Sequence, residues 1–393
     1  MTANNLMNTY GRLPITLTKG EGSYVWDEAG KKYLDALSGI AVCSLGHAHP
    51  AITQAICKQS ATLMHTSNIY QIPAQKELAT KLCELSKMDC AFFSNSGAEA
   101  NEAAIKIARL YGHNKDIQNP TIIVAEGSFH GRTLATLSAT GNRKIQAGFE
   151  PLVSGFARVP FNDIDAIKEV AKNNKNIVAV LIEPIQGEGG INIPAEDYLN
   201  QIRDLCDTHD WLMILDEIQT GICRTGLWFA HQHNGITPDI MTIAKALGNG
   251  FPIGACLAKG KAANVFQPGN HGSTYGGNPL ACHVASASIA AHEQEKTNAQ
   301  AKESGEYLIS QFTSQLTNTP EVTNIRGIGM MIGIELDRPC GELVSLAAEN
   351  GLLINVTANK VIRLLPPLNL TKEQSDELAS ILTQLIKAFI SRK

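Results

Sequence analysis

The chain has 393 residues, 44% of them hydrophobic and 18% charged, with a formal net charge of −4. That length exceeds one simple core and predicts two domains in one compact unit. The mild negative charge gives no reason to expect nucleic acid or an anionic membrane as a partner, and no apolar run approaches the ~18–20 residues of a membrane helix.

The start, MTANNLMNTYGRLP, has no basic region followed by an apolar one, so no secretory signal is expected. Nine cysteines are scattered from Cys43 to Cys340 without a C-x-x-C pair. Such a set predicts reduced thiols in a cytoplasmic, soluble protein, with no disulfide framework and no metal site.

Residues 1–40 predict short strands and turns, as in Gly22-Ser23-Tyr24-Val25-Trp26-Asp27, a Gly30 turn and Lys32-Tyr33-Leu34-Asp35. From about residue 75, apolar β-rich runs alternate with helical stretches: Ala91–Ser94, Thr121–Ala125, Ile177–Glu183, Leu212–Asp216 and Ile240–Ala244. Near-continuous apolar strands separated by helices imply a mostly parallel sheet covered on both faces. After about residue 280 a long helical stretch is expected to Thr317. Strands at Gly329–Leu336, Leu352–Val356 and Ile362–Leu364 and a helix from Lys372 follow. The expected division is an N-terminal segment 1–60 packing with a smaller α+β domain 281–393, around a large domain 61–280.

Ligands of open parallel sheets bind beyond the carboxyl ends of the strands, so those ends matter most. Ala91–Ser94 runs through Asn95, Ser96, Gly97 and Ala98 into a helix, an arrangement whose free N–H groups favour a phosphate. A plain capped turn reads the same way. Thr121–Ala125 leads to Phe129, able to stack on a flat ring, and Arg132, able to grip a carboxylate. A core phenylalanine and a surface arginine are the bland alternative.

Leu212–Leu215 ends in Asp216. A buried carboxylate is costly unless it meets a cation or local N–H groups, and a protonated pyridine nitrogen is one such cation. Ile240–Ala244 ends in Lys245 within a glycine-rich turn, where desolvation makes an amine nucleophilic. The bland alternative for Lys245 alone is a lysine snorkelling from the sheet edge. The four features in this order argue for one site.

Taken with Gly46-His47-Ala48-His49-Pro50, Ser94–Ala100, Phe129-His130-Gly131-Arg132-Thr133, Glu183–Gly190, Leu215–Gly221, His271–Pro279 and Ile362–Pro367, the chain resembles the class III aminotransferases of the type I pyridoxal-phosphate fold. The resemblance runs from Tyr10 to Pro367 and is nearest to the acetylornithine aminotransferases. It implies an α/β fold with a seven-stranded, mostly parallel sheet, pyridoxal 5'-phosphate as cofactor, and a homodimer with shared active sites.

The roles that the resemblance implies fall on particular residues. Lys245 would hold the cofactor aldehyde and move protons, Asp216 would pair with the pyridine nitrogen, and Phe129 would stack on the ring. Gln219 would bond the phenolic oxygen, while Ser96, Gly97 and Ala98 would hold the phosphate with Thr274 of the neighbouring subunit. Arg132 would bind the distal carboxylate and Arg363 the α-carboxylate of glutamate, with Glu188 masking Arg363 when the other substrate is bound. Tyr10, Ile40 and Ser273 match substrate-pocket positions.

Ornithine aminotransferases carry a tyrosine where this chain has Ile40, and an apolar residue leaves a free ammonium unpaired. That favours an acylated donor, N-acetylornithine or N-succinylornithine, over ornithine, with 2-oxoglutarate as acceptor. Succinyl-diaminopimelate and 4-aminobutyrate stay open. Arg363 argues against an aminomutase, and Lys245 with Asp216 argue against a binding protein that has lost catalysis. A nicotinamide-binding fold lacks its G-x-G-x-x-G here.

Overall fold

A computed structural model describes residues 5–392. Three strands, β1 (Leu17–Glu21), β2 (Tyr24–Asp27) and β3 (Lys32–Asp35), form an antiparallel meander near the N-terminus.

The central sheet is built from β4 (Cys90–Ser94), β5 (Thr121–Ala125), β6 (Phe156–Val159), β7 (Ile177–Ile182), β8 (Leu212–Asp216), β9 (Ile240–Ile243) and β10 (Gly254–Ala258), in the order β4-β10-β9-β8-β7-β5-β6. Strand β10 pairs antiparallel with both neighbours, and the remaining pairs are parallel.

Period-two alternation sends the two sides of each strand to different cores. Ile122, Val124, Leu181, Leu212 and Ile214 pack with Ala104, Ile107 and Ala108 of the helix Gly97–His113. Ile123, Val180, Ile182, Met213 and Leu215 pack instead with Ile167 of the helix Ile164–Asn173 and Ile202 of the helix Tyr198–His209. All residues of β7 and β8 are buried, as expected of parallel strands covered on both faces.

The C-terminal part adds β11 (Val322–Ile328), β12 (Met331–Leu336), β13 (Leu352–Leu353), β14 (Asn355–Thr357) and β15 (Val361–Leu364). Strands β11-β12-β15-β14 form one sheet, while β13 joins the N-terminal meander by parallel pairing with β3. Leu34 of β3 thus shares a core with Phe312, Ile334, Leu352, Ile362 and Leu382. The last helix, Lys372–Ser391, begins with a capping box in which Thr371 and Gln374 satisfy each other's backbone N–H groups.

Several expectations need correction. The helical stretch from 280 is two helices, Pro279–Glu295 and Thr297–Leu316, because Lys296 turns left-handed (φ 53°) and caps the first. Leu352–Val356 is not one strand: the chain leaves one sheet and enters the other at Ile354. The strand expected from Gly329 begins at Met331, since Gly329 (φ 56°) belongs to the turn before it. Strands β6, β10 and β11 had no clear sequence signature.

Candidate active site

The carboxyl ends of β8 and β9 open into a cavity of about 400 Å³ lined by Ser96, Gly97, Ala98, Phe129, Asp216, Gln219 and Lys245 among others. That volume is within the usual range of small-molecule sites. The sequence-predicted residues of four separate strand ends therefore meet in one place.

Two residues beyond β4, Ser96 is in extended backbone and caps the helix Gly97–His113, its Oγ accepting from the N–H of Glu99 at 3.2 Å. Ala100 N–H goes to the Ser96 carbonyl. The first-turn N–H groups of Gly97 and Ala98 have no acceptor within the helix, the condition that makes a helix start an anion site. Gly97 leaves room for Ile218: a Cβ there would lie 2.7 Å from Ile218 Cδ1 and displace that side chain.

Asp216 is 4% exposed, and each of its oxygens has donors. Oδ2 accepts from Asn101 Nδ2 and His130 Nδ1, both at 2.8 Å, and Oδ1 accepts from the N–H of Ile218 at 3.1 Å. Asn101, His130 and the cavity-lining Glu183 were not singled out from sequence. Asn101 stands in the otherwise apolar buried face of its helix, and Glu183 follows a wholly apolar strand, so each carried a faint signal. Burial pushes the Glu183 carboxyl up to about 7, although the N–H groups of Phe129 and Gly187 donate to it at 3.2 and 3.3 Å.

Lys245 follows β9 in left-handed backbone (φ 45°) and is half-buried. Burial, then the nearby Arg363 guanidinium, lowers its pKa to about 8, against the opposing pull of Glu188, Asp216 and Glu183. An amine so placed is nucleophilic near neutral pH.

Gln219 is buried against Gly187, where a Cβ would lie 2.3 Å from its Oε1, and that oxygen has no hydrogen-bond partner in the protein. A cavity-lining amide with a buried, unpartnered oxygen has hydrogen-bonding capacity that the chain alone does not satisfy. Phe129 lines the same cavity, with the exposed Arg132 guanidinium 5.7 Å from its ring centroid. A phosphate end, a flat ring's stacking partner, a buried carboxylate and a primary amine suit pyridoxal phosphate.

Arg363, on β15, is 1% exposed. Its Nη1 donates to Glu188 Oε1 at 2.6 Å, and its Nε and Nη2 donate to Asn355 Oδ1 at 3.2 and 2.8 Å. The Glu188 loop is also tied down by Thr357 Oγ1, which donates to its carbonyl.

Six expected residues do not line the cavity in the single chain: Arg363 and Glu188 are near enough to act on the charge of Lys245, while Ser273, Thr274, Tyr10 and Ile40 lie elsewhere. Ser273 and Thr274 line a different cleft of about 550 Å³, which shares only Asn95 with the first. Tyr10 is 71% exposed beneath the Arg12 guanidinium. Ile40 sits in a left-handed turn, Ser38–Ala41, and Val42 lines the cavity in its stead. The turn is strained for a β-branched residue. Asp35 Oδ1 secures it by accepting from the N–H groups of Leu37 and Ser38 at 2.9 and 2.8 Å.

Comparison with known proteins agrees with this geometry. A family model described as aminotransferase class-III matches residues 6–386. An acetylornithine aminotransferase of Nitrosomonas europaea is 56% identical over 390 residues, 99% of each chain. One from Methanothermobacter thermautotrophicus is 48% identical over 381 residues, 97% of this chain and 96% of that one.

Among solved structures, an ornithine aminotransferase of Toxoplasma gondii superposes with a TM-score of 0.95 at 33% identity, covering 99% of this chain and 94% of that one. An acetylornithine aminotransferase of Elizabethkingia anophelis gives 0.87 at 38% identity, over 98% and 96% of the two chains. Sheet order, cavity and matches together place this chain in the class-III aminotransferases, pyridoxal-phosphate enzymes of the type I fold.

Proposed function

We propose that the protein moves the terminal amino group of N2-acetylornithine to 2-oxoglutarate, giving N-acetylglutamate 5-semialdehyde and glutamate, a step of arginine biosynthesis. The observation that carries this reading is the pair of Arg363, fully buried, and Glu188, 2.6 Å away and half exposed. A transaminase of this kind must bind glutamate through its α-carboxylate and then an ω-amine with only methylene groups at that place. An arginine with a displaceable carboxylate partner serves both. The names of the relatives in Nitrosomonas europaea and Methanothermobacter thermautotrophicus support the same donor.

Bound pyridoxal phosphate supplies the electron sink that stabilises negative charge at the substrate carbon. The chain does the rest. The Asp216 carboxylate would face the ring nitrogen, Phe129 and the Gly97–Ala98 N–H groups would hold the ring and phosphate, and the Gln219 amide would hydrogen-bond the phenolic oxygen. Lys245, its pKa lowered to about 8, would hold the cofactor aldehyde and then carry a proton at Nζ between the two reacting carbons. Arg132, at the open side of the Phe129 ring, takes the carboxylate of the substrate far from Lys245.

The same reading makes the active unit a homodimer, in which Thr274 of one protomer completes the phosphate site of its partner, with Ser273, Tyr10 and Ile40 near the shared substrate pocket. Residues 1–60 and 281–393 then form one unit around a cofactor-binding domain, 61–280. A cytoplasmic location suits nine cysteines that are all unpaired.

The test is amine preference. With 2-oxoglutarate as acceptor, kcat/KM for N-acetylornithine should exceed that for ornithine by roughly a hundredfold, the scale of one unpaired polar group in a pocket. Preference for succinylornithine, succinyl-diaminopimelate or 4-aminobutyrate would reassign the donor.

A further inference from the structure

The helix Gly97–His113 meets the cavity twice. Its first turn presents the N–H groups of Gly97 and Ala98, and one turn further on Asn101 reaches the carboxylate at the opposite end of the site. Asn101 is wholly buried. Its Nδ2 donates to Asp216 Oδ2 and to the His130 carbonyl, each at 2.8 Å. Both acceptors lack a hydrogen, so the amide orientation is settled by its neighbours. On the other side Thr242 Oγ1, from the strand that delivers Lys245, donates to Asn101 Oδ1 at 2.7 Å.

Oδ2 of Asp216 is thereby filled by two donors, the second being His130 Nδ1, while Oδ1 accepts only the N–H of Ile218. The oxygen with spare capacity toward the cavity is Oδ1. A helix is rigid over one turn, about 1.5 Å of rise per residue. The separation between the Gly97–Ala98 anion end and the Asn101 amide is therefore fixed by backbone geometry and does not depend on any loop.

We propose that Asn101 is a positioning residue: it holds Asp216 at a set distance from the phosphate-binding end of its own helix, with Thr242 keeping its amide in the donating orientation. One helix then gauges both ends of the cofactor. The inference rests on reading Asp216 and the Gly97–Ala98 turn as the two ends of the pyridoxal-phosphate site.

A double-mutant cycle read on cofactor affinity tests it, using cofactor-stripped full-length protein titrated with pyridoxal phosphate. Asn101→Leu should weaken binding roughly tenfold, the scale of one lost hydrogen bond to a charged group. Thr242→Val should weaken it by about threefold, because it only loosens the amide. In an Asp216→Ala background either substitution should cost less than about twofold, since its effect passes through the missing carboxylate. Competition by inorganic phosphate should stay unchanged in Asn101→Leu, whose helix start is intact.

An equal loss in both backgrounds, or no loss beside Asp216, would overturn the proposal and make Asn101 a packing residue. If Asn101→Leu does not fold, Thr242→Val carries the same cycle to the same decision. An Asp216→Ala protein that binds the cofactor as tightly as the wild type would instead sink the reading of the site, and the proposal with it.

Discussion

Arg363 and Glu188 are joined at 2.6 Å, yet one is 1% exposed and the other 39% exposed on its side chain. The arginine is anchored by Asn355 and cannot easily leave, whereas the glutamate has solvent to move into. The asymmetry leaves the Glu188 side chain as the half of the pair with solvent beside it.

Replacing Glu188 by Ala leaves Arg363 permanently free for an α-carboxylate. Half-reaction rates should shift toward glutamate relative to N-acetylornithine by roughly five- to tenfold, the scale of a partly exposed ion pair. An unchanged ratio would show that Glu188 does not gate the arginine.

Lys245 predicts a pH signature in cofactor-free protein. Its folded pKa, about 8, lies below the ordinary 10.5, so the folded state binds fewer protons between those values. Below about pH 8 the charged lysine is a full stability deficit, and the deficit closes as pH rises toward 10.5. Lys245→Met should therefore stabilise the cofactor-free protein at pH 7 by about 1–2 kcal/mol after discounting for solvent screening, with the gain shrinking toward pH 10.5. Urea unfolding at several pH values would show it. A gain independent of pH would assign the effect to packing alone.

Gly187 is packed against the Gln219 amide. Gly187→Ala should cost about 1–3 kcal/mol of stability as overpacking and push Gln219 from its place beside the cavity. Weaker pyridoxal-phosphate binding should accompany the lower urea midpoint. Normal values for both would mean that Gln219 is not held there.

Thr274 lies in a cleft that its own chain does not join to the Lys245 cavity. Mixing a Lys245→Ala protein with a Thr274→Glu protein should yield hybrid dimers with one complete site each, and so restore activity that neither parent has. Absence of complementation after mixing and refolding would place Thr274 outside a shared site.

Much of this was legible in the sequence, for identifiable reasons. Strands β5, β7, β8 and β9 are near-continuous apolar runs because both faces of the sheet are covered. A charged residue directly after such a run, Asp216 or Lys245, stands out for the same reason. By contrast β6 and β11 are edge strands with mixed exposure, and β10 is the short run Gly254–Ala258 that follows a glycine-rich turn.

Asn101 was illegible for a different reason. Its role depends on which face of a helix meets the ends of β8 and β9, and only tertiary structure supplies that. Tyr10, Ile40, Ser273 and Thr274 were named by resemblance alone, and the single chain does not bring them to the cavity.

The central claim is that Lys245 holds pyridoxal phosphate and works on an acylated ω-amine. The most direct measurement is the visible absorption of the purified protein after the cofactor is added and the unbound cofactor is removed. The account predicts a band near about 400 nm that bleaches on adding N-acetylornithine, returns with 2-oxoglutarate, and is absent from Lys245→Ala. A wild-type protein with no such band after adding the cofactor, or a Lys245→Ala protein that retains it, would contradict the account.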